Sequence, residues 1–266
     1  MSQHTLSANN VVAGYDKKEI LHGLQVHIPD HKVSVIIGSN ACGKSTLLKT
    51  FARLLMPTKG EVVLDGKKIH QIPSKKLAQT LGLLPQSPIA PEGIRVSDLV
   101  ARGRFPYHGF MGGMKEEDYK AVSAALEVMG ITDLADRGVD ELSGGQRQRV
   151  WIAMALAQQT DILFLDEPTT FLDLTHQIEI LDILRELNEK MGTTIVMVLH
   201  DINLSARYSD HIIALKDGKL IAEGEPCTII NEELINTVFN LECSIINDPI
   251  SNTPLIIPKG KYKRND

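Results

Sequence analysis

The chain has 266 residues, of which 43% are hydrophobic and 23% charged, so it is long enough to bury a full core. Its formal net charge of −5 disfavours a nucleic-acid binder, which is usually basic, and we expect no nucleic-acid partner. Cys42, Cys227 and Cys243 follow neither a metal-binding nor a disulfide spacing, which fits a reducing cytosol. No apolar run approaches the ~18 residues of a membrane span, so at a membrane another chain would have to cross.

The first part of the chain predicts strands that lead into a phosphate-binding loop. Residues 6–28 hold short alternating runs typical of antiparallel strands, and residues 33–37 form an apolar, β-branched run. Apolar residues at helical spacing over 46–55, ended by Pro57, predict a helix. Between this strand and this helix stands a complete G-x-x-x-x-G-K-[ST] pattern, Gly38-Ser39-Asn40-Ala41-Cys42-Gly43-Lys44-Ser45.

This loop predicts that the protein binds a nucleotide. Backbone N–H groups curl around an anion at a helix N-terminus, and Gly38 and Gly43 permit the curl. Lys44 is expected to reach the β- and γ-phosphates, and the Ser45 hydroxyl to coordinate Mg²⁺. Tyr15 is interpreted as a stacking platform for adenine, with an ordinary strand aromatic as the alternative. The predicted ATP contacts in this region are Tyr15, Gly38, Ser39, Asn40, Ala41, Cys42, Gly43, Lys44, Ser45 and Thr46.

The middle of the chain carries a second candidate phosphate grip. From about residue 90 to 155 the pattern changes to helices and loops, which predicts a helical insertion in an α/β core. Ser143-Gly144-Gly145-Gln146 precedes an amphipathic helix over 147–159, where a hydroxyl and glycine amides can hold a γ-phosphate. A two-fold dimer would bring this stretch to the phosphate held by Lys44 of the other copy. The alternative, a helix N-cap by Ser143, can hold at the same time.

Two later strands end in residues suited to phosphate chemistry. The apolar run 162–165 leads into Asp166, a candidate Mg²⁺ ligand, and Glu167, which can deprotonate the attacking water. The run 193–199 leads into His200, which can donate a hydrogen bond to a γ-phosphate. Solvated carboxylates and a structural histidine are the plainer alternatives. Continuous apolar strands joined by a helix predict a mostly parallel sheet. That helix places four apolar residues on one face: Ile178, Leu181, Leu184 and Leu187.

Taken together, these motifs resemble the ATP-binding-cassette family over about residues 15–224. The family order is met by Tyr15, the loop 38–45, Gln86, Leu142-Ser143-Gly144-Gly145-Gln146, Asp166-Glu167, Asp173 and His200. The resemblance implies a P-loop NTPase fold of the α/β class, with a mostly parallel RecA-like core, a small antiparallel β-subdomain and an α-helical subdomain. It also implies that two such domains enclose two ATP molecules head to tail.

The same resemblance implies an ATPase that uses ATP and Mg²⁺. The catalytic residues that it implies are Glu167, His200, Gln86 and Lys44. The Mg²⁺ ligands that it implies are Ser45, Gln86 and Asp166, and the partner-facing ATP contacts are Ser143, Gly144, Gly145 and Gln146. Asp173 is expected to bridge the dimer interface. Ser39 and Ala41 stand where many members have Pro and Gly, so a less flexible loop is expected.

A narrower resemblance, to importers of iron-siderophore complexes and cobalamin, is carried by residues 101–107 and 169–177. It implies uptake of iron(III)-hydroxamate type complexes by a homodimer bound to integral membrane permease subunits, peripheral on the cytoplasmic face of the inner membrane. An extracytoplasmic substrate-binding protein would take part indirectly. Gln86 and residues 102–107 would form much of the permease contact, or else Arg102 and Arg104 lie on a solvated helix face.

Other interpretations stay open on the sequence alone. The cargo could be cobalamin, haem or another metal chelate. Two other functions are less favoured: a non-transport cassette that acts on DNA or ribosomes, and a module that binds ATP without hydrolysing it. Residues 1–230 are expected to form the nucleotide-binding domain, with the helical subdomain at 90–155. Residues 231–266 are expected to pack on the core, with a helix over 231–239 and short strands over 245–257.

Overall fold

The structure is a computed structural model that describes residues 3–16, 18–109, 113–170 and 172–260. Phe171, part of the importer-like run 169–177, lies outside the described residues. The chain divides into two compact units. One holds Ile69–Ile195, and the other holds Gln3–Lys68 together with the residues from Val196 onward.

The N-terminal part of the second unit contains an antiparallel sheet and the phosphate loop. Its elements are β1 (Leu6–Tyr15), β2 (Lys18–Ile28), β3 (Val33–Gly38), α1 (Lys44–Phe51), β4 (Lys59–Leu64) and β5 (Lys67–Lys68). The sheet has the order β2-β1-β4-β5, and each of its pairings is antiparallel. The antiparallel strands predicted over residues 6–28 are therefore confirmed.

The strand β3 and the helix α1 flank the loop as predicted. All residues of β3 are buried, as its continuous apolar run requires. The helix α1 ends earlier than predicted, at Phe51 instead of near residue 55. Arg53 adopts a left-handed φ of 58°, which cannot continue a right-handed helix, so Pro57 is not what stops it.

The first unit is mainly helical. Its elements are α2 (Ser74–Thr80), β6 (Leu81–Leu84), α3 (Val96–Ala101), α4 (Glu116–Val128), α5 (Gly144–Ala157), β7 (Ile162–Asp166) and α6 (Leu174–Met191). β6 and β7 pair in parallel, and α3, α4 and α5 pack together. The buried face of α6 consists of Ile180, Leu181, Leu184 and Asn188, so Ile178 and Leu187, which were predicted to be on it, are only half-buried. Among the described residues no helix is both long and apolar enough to cross a membrane.

The chain passes from the first unit to the second within β8 (Thr194–Val198), which is buried throughout. The remaining elements are α7 (Ile202–Tyr208), β9 (His211–Lys216), β10 (Lys219–Gly224), α8 (Pro226–Ile229), α9 (Glu232–Phe239), β11 (Cys243–Asn247) and β12 (Pro254–Pro258). β9 pairs in parallel with β3 and antiparallel with β10. The helix expected over 231–239 is confirmed as α9, which Asn231 caps, and the two short strands are confirmed as the hairpin β11–β12.

The hairpin β11–β12 packs against α7. The Asn203 side chain donates to the carbonyl of Ile256 at 3.2 Å and accepts from its N–H at 2.7 Å. Arg207 donates to a carboxylate oxygen of Asp248 at 2.6 Å. The hairpin β11–β12 is thus held by polar contacts within the second unit.

Candidate active site

The phosphate loop depends on its two glycines. Gly38 has φ 154°, and a Cβ there would lie 2.4 Å from the Leu215 carbonyl oxygen and 2.5 Å from Cys42 Sγ. Gly43 has φ 107° and precedes the first residue of α1, where a Cβ would meet the Leu21 side chain at 2.7 Å. Because neither position can hold a side chain, the glycines predicted to shape the loop are required by its geometry.

Lys44 is buried within this loop. Its ammonium donates to the carbonyl oxygens of Gly38, at 2.8 Å, and Ser39, at 3.0 Å. An ammonium group has three N–H donors, so these two bonds leave a third for a phosphate oxygen. The Lys44 charge is therefore held at the loop before any ligand arrives.

Two other residues of the phosphate loop are unusual, one in its backbone conformation and one in its burial. Ala41 adopts a left-handed φ of 60°, the conformation that glycine adopts without strain. Cys42 is buried, and this burial raises the pKa of its thiol. The thiol stays protonated at neutral pH and fills space behind Gly38.

Glu167, the predicted general base, is held by two donors. It follows Asp166, the buried last residue of β7, and has a left-handed φ of 55°. Gln86 Nε2 donates to Glu167 Oε2 at 2.6 Å, and Thr170 Oγ1 donates to the same oxygen at 3.0 Å. Gln86 and Glu167, two predicted catalytic residues 81 positions apart, are therefore in direct contact.

The contact of Thr170 with Glu167 was not predicted, although Thr170 belongs to the importer-like run. The sequence signal that could have predicted this contact is a hydroxyl three residues after a carboxylate, a spacing at which the two side chains meet in a tight turn. Gln148 of α5 adds a second support, because its Nε2 donates to the carbonyl of Pro168 at 2.8 Å. The turn that carries Glu167 is thus attached to α5 within the same unit.

Ser143 caps the N-terminus of α5. Its hydroxyl accepts from the Gln146 N–H at 3.3 Å, while its own N–H donates to Gln146 Oε1 at 3.1 Å, forming a capping box. Ser143 and Gly144 are exposed, and a Cβ on Gly144 would meet nothing within 4 Å. The capping role is confirmed, and the predicted phosphate contact of the same residues remains a prediction.

Asp173 caps the N-terminus of α6. Its Oδ1 accepts from the backbone N–H of His176 at 3.0 Å and lies 2.7 Å from His176 Nδ1. The His176 N–H and side chain hold the pKa of the Asp173 carboxyl below its ordinary value. Asp173 is exposed, and its contact across a dimer interface remains a prediction.

Tyr15 and His200 both have accessible side chains. Tyr15, the last residue of β1, is 46% exposed, and Lys49 Nζ lies 5.9 Å from its ring centroid. His200 is exposed two residues after the end of β8. Stacking on adenine and contact with a γ-phosphate remain predictions for these residues.

The predicted Mg²⁺ ligands are a hydroxyl, an amide and a carboxylate, from Ser45, Gln86 and Asp166. Within the described part of the chain, no cluster of three or more His, Cys, Asp or Glu side chains could hold a metal. This donor set fits Mg²⁺ delivered with a nucleotide, because Mg²⁺ prefers oxygen ligands, keeps several waters and binds phosphate oxygens instead of an all-protein cage.

The segment Arg102–Tyr107 is a 3₁₀-helix, and its two arginines differ in their surroundings. Arg102 is exposed, whereas Arg104 is only 4% exposed and forms an ion pair with Asp118 at 2.8 Å. A solvated face that includes both arginines is therefore wrong. Phe105, between Arg104 and Tyr107, is 63% exposed and is the apolar side chain that this segment presents.

Comparison with known proteins gives consistent matches. A sequence profile described as "ABC transporter" matches residues 21–170. The achromobactin transport ATP-binding protein CbrD of Dickeya dadantii (strain 3937) is 54% identical over 97% of this chain and 96% of its own. The ferric enterobactin transport ATP-binding protein FepC of Escherichia coli (strain K12) is 49% identical over 96% of this chain and 94% of its own.

Among solved structures, the fold matches a dimeric, post-hydrolysis state of the ATP-binding cassette MJ0796 bound to ADP and Pi. The TM-score is 0.73 at 30% identity, covering 83% of this chain and 98% of that one.

Proposed function

This chain belongs to the ABC transporter family, and we propose that it is the ATP-hydrolysing subunit of an importer of iron-siderophore complexes. The ABC ATPase fold, ATP binding and ATP hydrolysis coupled to transport come with the family. One observation supports a subunit that hydrolyses ATP over one that only binds it: the Glu167 carboxylate is held in place by hydrogen bonds. This carboxylate is held by Gln86 and Thr170 directly after the buried strand β7.

The proposed cargo rests on the two relatives named above. Their names specify achromobactin and ferric enterobactin transport, and each match extends over nearly the whole of both chains. Full-length likeness at about half identity supports the same broad class of cargo, a chelated iron complex. The hydroxamate subtype expected from the sequence is one member of this class and is tested with the others below.

In the proposed reaction Glu167 accepts a proton from water, and the water oxygen attacks the γ-phosphorus. The bond to the β–γ bridging oxygen breaks, and ADP and phosphate are released. Lys44 stabilises charge on the β- and γ-phosphates, and His200 donates to the γ-phosphate. Mg²⁺, when bound with ATP, neutralises phosphate charge and would be held by Ser45, Gln86 and Asp166.

The proposed assembly is a homodimer on an integral membrane permease, peripheral on the cytoplasmic face of the membrane, with an extracytoplasmic binding protein delivering the cargo. The dimeric state of the MJ0796 cassette and the importer relatives support this arrangement. Each ATP would lie between Lys44 of one copy and Ser143 of the other. Residues 1–230 would form the nucleotide-binding domain, with 90–155 as the helical subdomain, and 231–266 the extension.

The decisive substitution is Glu167→Gln in the complex purified from membranes through a tag on this chain. We expect ATP turnover to fall by about 10²–10⁴-fold because the proton acceptor is lost, while ATP binding is kept. In the isolated Glu167→Gln subunit, closed ATP-bound dimers should accumulate, as seen by size-exclusion chromatography. Glu186→Gln, on the exposed surface of α6, is the matched control and should keep its turnover. Normal turnover by Glu167→Gln would refute the assigned role.

The cargo is tested separately in the same complex. ATP hydrolysis and uptake into liposomes should be stimulated by ferric enterobactin or by an iron(III)-hydroxamate complex when the binding protein is present. Cobalamin and haem serve as the competing cargoes. Stimulation by one of these, and by no iron-siderophore complex, would replace the proposed cargo while leaving the ATPase assignment intact.

A further inference from the structure

The segment Arg102–Tyr107 is fastened to the C-terminal end of α5, the helix that begins directly after Ser143. Arg104 Nη1 donates to the carbonyl oxygen of Ala157 at 2.9 Å, and the Tyr107 hydroxyl donates to that of Gln158 at 2.8 Å. The last carbonyls of a helix have no partner within the helix, and a cation is favourable there. These two side chains therefore satisfy and stabilise the end of α5.

Arg104 is fixed by further contacts on its other sides. Its Nε donates to Asp118 Oδ1 at 2.8 Å, and its guanidinium stacks over the Tyr107 ring at 3.9 Å from the centroid. The Lys115 N–H and Arg104 hold the pKa of Asp118 below its ordinary value, so the carboxylate stays charged. Burial raises the pKa of Tyr107, which keeps its hydroxyl a donor. Asp118 and Tyr107 are therefore each in the protonation state that their hydrogen bonds require.

The backbone of the segment is equally constrained. A Cβ on Gly103 would lie 2.2 Å from the Met154 carbonyl oxygen, so the segment touches the last turn of α5 directly. On the α2 side, Gln79 Nε2 donates to the Pro106 carbonyl at 2.9 Å. Phe105 projects from this fixed segment as its exposed apolar side chain. The segment thus presents a rigidly held phenylalanine at the opposite end of α5 from Ser143.

We propose that Arg104, Tyr107 and Asp118 form a clamp that makes α5 and the segment Arg102–Tyr107 move as one body. Motion that ATP imposes at Ser143 is then delivered, about 21 Å along the 14-residue helix, to Phe105 at the permease. Arg104 is a positioning residue, because it is only 4% exposed and acts through the segment that it holds. The proposal rests on the importer function proposed above.

The geometry explains why arginine is required at position 104. One planar guanidinium reaches Asp118, Ala157 and, at 3.0 Å, Gln159 Oε1, while its face stacks on Tyr107. A lysine ammonium keeps the charge but has neither the planar fork nor the stacking face. Arg104→Lys therefore loosens the clamp but still provides Asp118 with a counter-ion. Tyr107→Phe removes only the hydroxyl that donates to Gln158.

The test uses the complete membrane complex in liposomes and measures iron-siderophore transported per ATP hydrolysed. For Arg104→Lys and Tyr107→Phe we expect this ratio to fall about five- to tenfold, the size of typical coupling losses. ATP affinity and basal ATPase should stay within about twofold. Arg137→Lys makes the same change at an exposed arginine outside the segment Arg102–Tyr107 and should keep the wild-type ratio. Wild-type ratios in both clamp variants would overturn the clamp.

Hydrogen exchange provides a second measurement that does not depend on the cargo. In the Glu167→Gln complex, ATP should slow exchange in α5 and in residues 102–108 together. With Arg104→Lys added, α5 should still respond and residues 102–108 should not. If both segments still respond to ATP in the Arg104→Lys variant, the clamp is overturned, whatever cargo the complex carries. If instead the wild-type complex transports no iron-siderophore complex, only the proposed importer function is overturned.

Discussion

Two residues at the candidate site have backbone conformations that side chains rarely adopt. Ala41 has φ 60° in the phosphate loop, and Glu167 has φ 55° after β7. For a residue with a Cβ this region costs about 1–2 kcal/mol. At Glu167 the strain coincides with a carboxylate held by Gln86 and Thr170, so the turn that strains the backbone also aims the predicted base.

Ala41→Gly tests the strain in the phosphate loop. Removing the Cβ relieves about 1–2 kcal/mol, while the added freedom of the unfolded chain costs about 0.5–1 kcal/mol. We expect a net rise of about 0.5–1 kcal/mol in the free energy of unfolding, measured by urea denaturation of the isolated subunit. Ala101→Gly is the control, because Ala101 has φ −61° and should lose about 0.5–1 kcal/mol. Equal losses in both variants would show that Ala41 is unstrained.

At this scale the sequence predicted candidate catalytic residues and not how they touch. The family resemblance implied that Gln86 and Glu167 are both catalytic, yet the hydrogen bond between them was not foreseen. It depends on the left-handed turn at Glu167, which no local propensity predicts for a glutamate. The alternative of a solvated helix face failed at Arg104 for a related reason. A charged side chain is usually exposed, and its burial becomes intelligible only with Asp118 and the end of α5 beside it.

At the scale of elements, the strands and helices were largely predictable because their apolar periodicity is strong. β3, β7 and β8 are continuous apolar runs, and all three are buried as expected. Element ends were less predictable. The helix α1 stops at Phe51 because Arg53 is left-handed, although the apolar spacing continues to Leu55. The apolar pattern reports which face of α1 is buried, whereas a local Schellman cap, in which the Leu54 N–H donates to the Lys49 carbonyl at 2.8 Å, decides where the helix stops.

The attachment of the hairpin β11–β12 to α7 has a measurable pH dependence. Arg207 and the Ile250 N–H both donate to Asp248 and hold the pKa of its carboxyl far below the ordinary value. A depressed pKa stabilises the folded state fully above the unfolded-state value of about 3.9. This stabilisation is lost as the pH falls from there through the folded-state pKa.

We therefore expect Asp248→Asn to lower the thermal unfolding midpoint at pH 7. The gap from the wild type should stay constant down to about pH 5 and shrink below about pH 4. Asp133→Asn, an exposed aspartate elsewhere in the chain, is the control and should shift the midpoint less at pH 7. A gap that is unchanged between pH 7 and pH 3 would show that the charge on Asp248 does not stabilise the fold.

At the scale of the whole molecule, the open question is how many copies build one ATP site. Lys44 and Ser143 belong to different units of the chain, and Ser143 and Gly144 are exposed. A capping box that satisfies the end of α5 leaves the Ser143 hydroxyl on the surface, able to accept a further partner. If ATP is shared, each site takes Lys44 from one copy and Ser143 from the other. A Lys44 defect in one copy and a Ser143 defect in the other then fall in the same site of a mixed dimer, and the second site stays intact.

Mixing two defective variants distinguishes a shared site from a site within one chain. Lys44→Ala removes the phosphate-binding ammonium, and Ser143→Arg should block the surface that faces the other copy's phosphate loop. Neither variant by itself should therefore form a dimer when ATP is added. A mixed dimer has one site damaged twice and one complete site, which pairs Lys44 of the Ser143→Arg subunit with Ser143 of the Lys44→Ala subunit. With different tags on the two variants, pull-down of one should recover the other only when ATP is present. Because neither variant pairs with itself, the dimers that form are mixed, and each should hold one complete site where a wild-type dimer holds two. If each site were built within one chain, no complete site would exist in any mixture, and ATP would recover nothing.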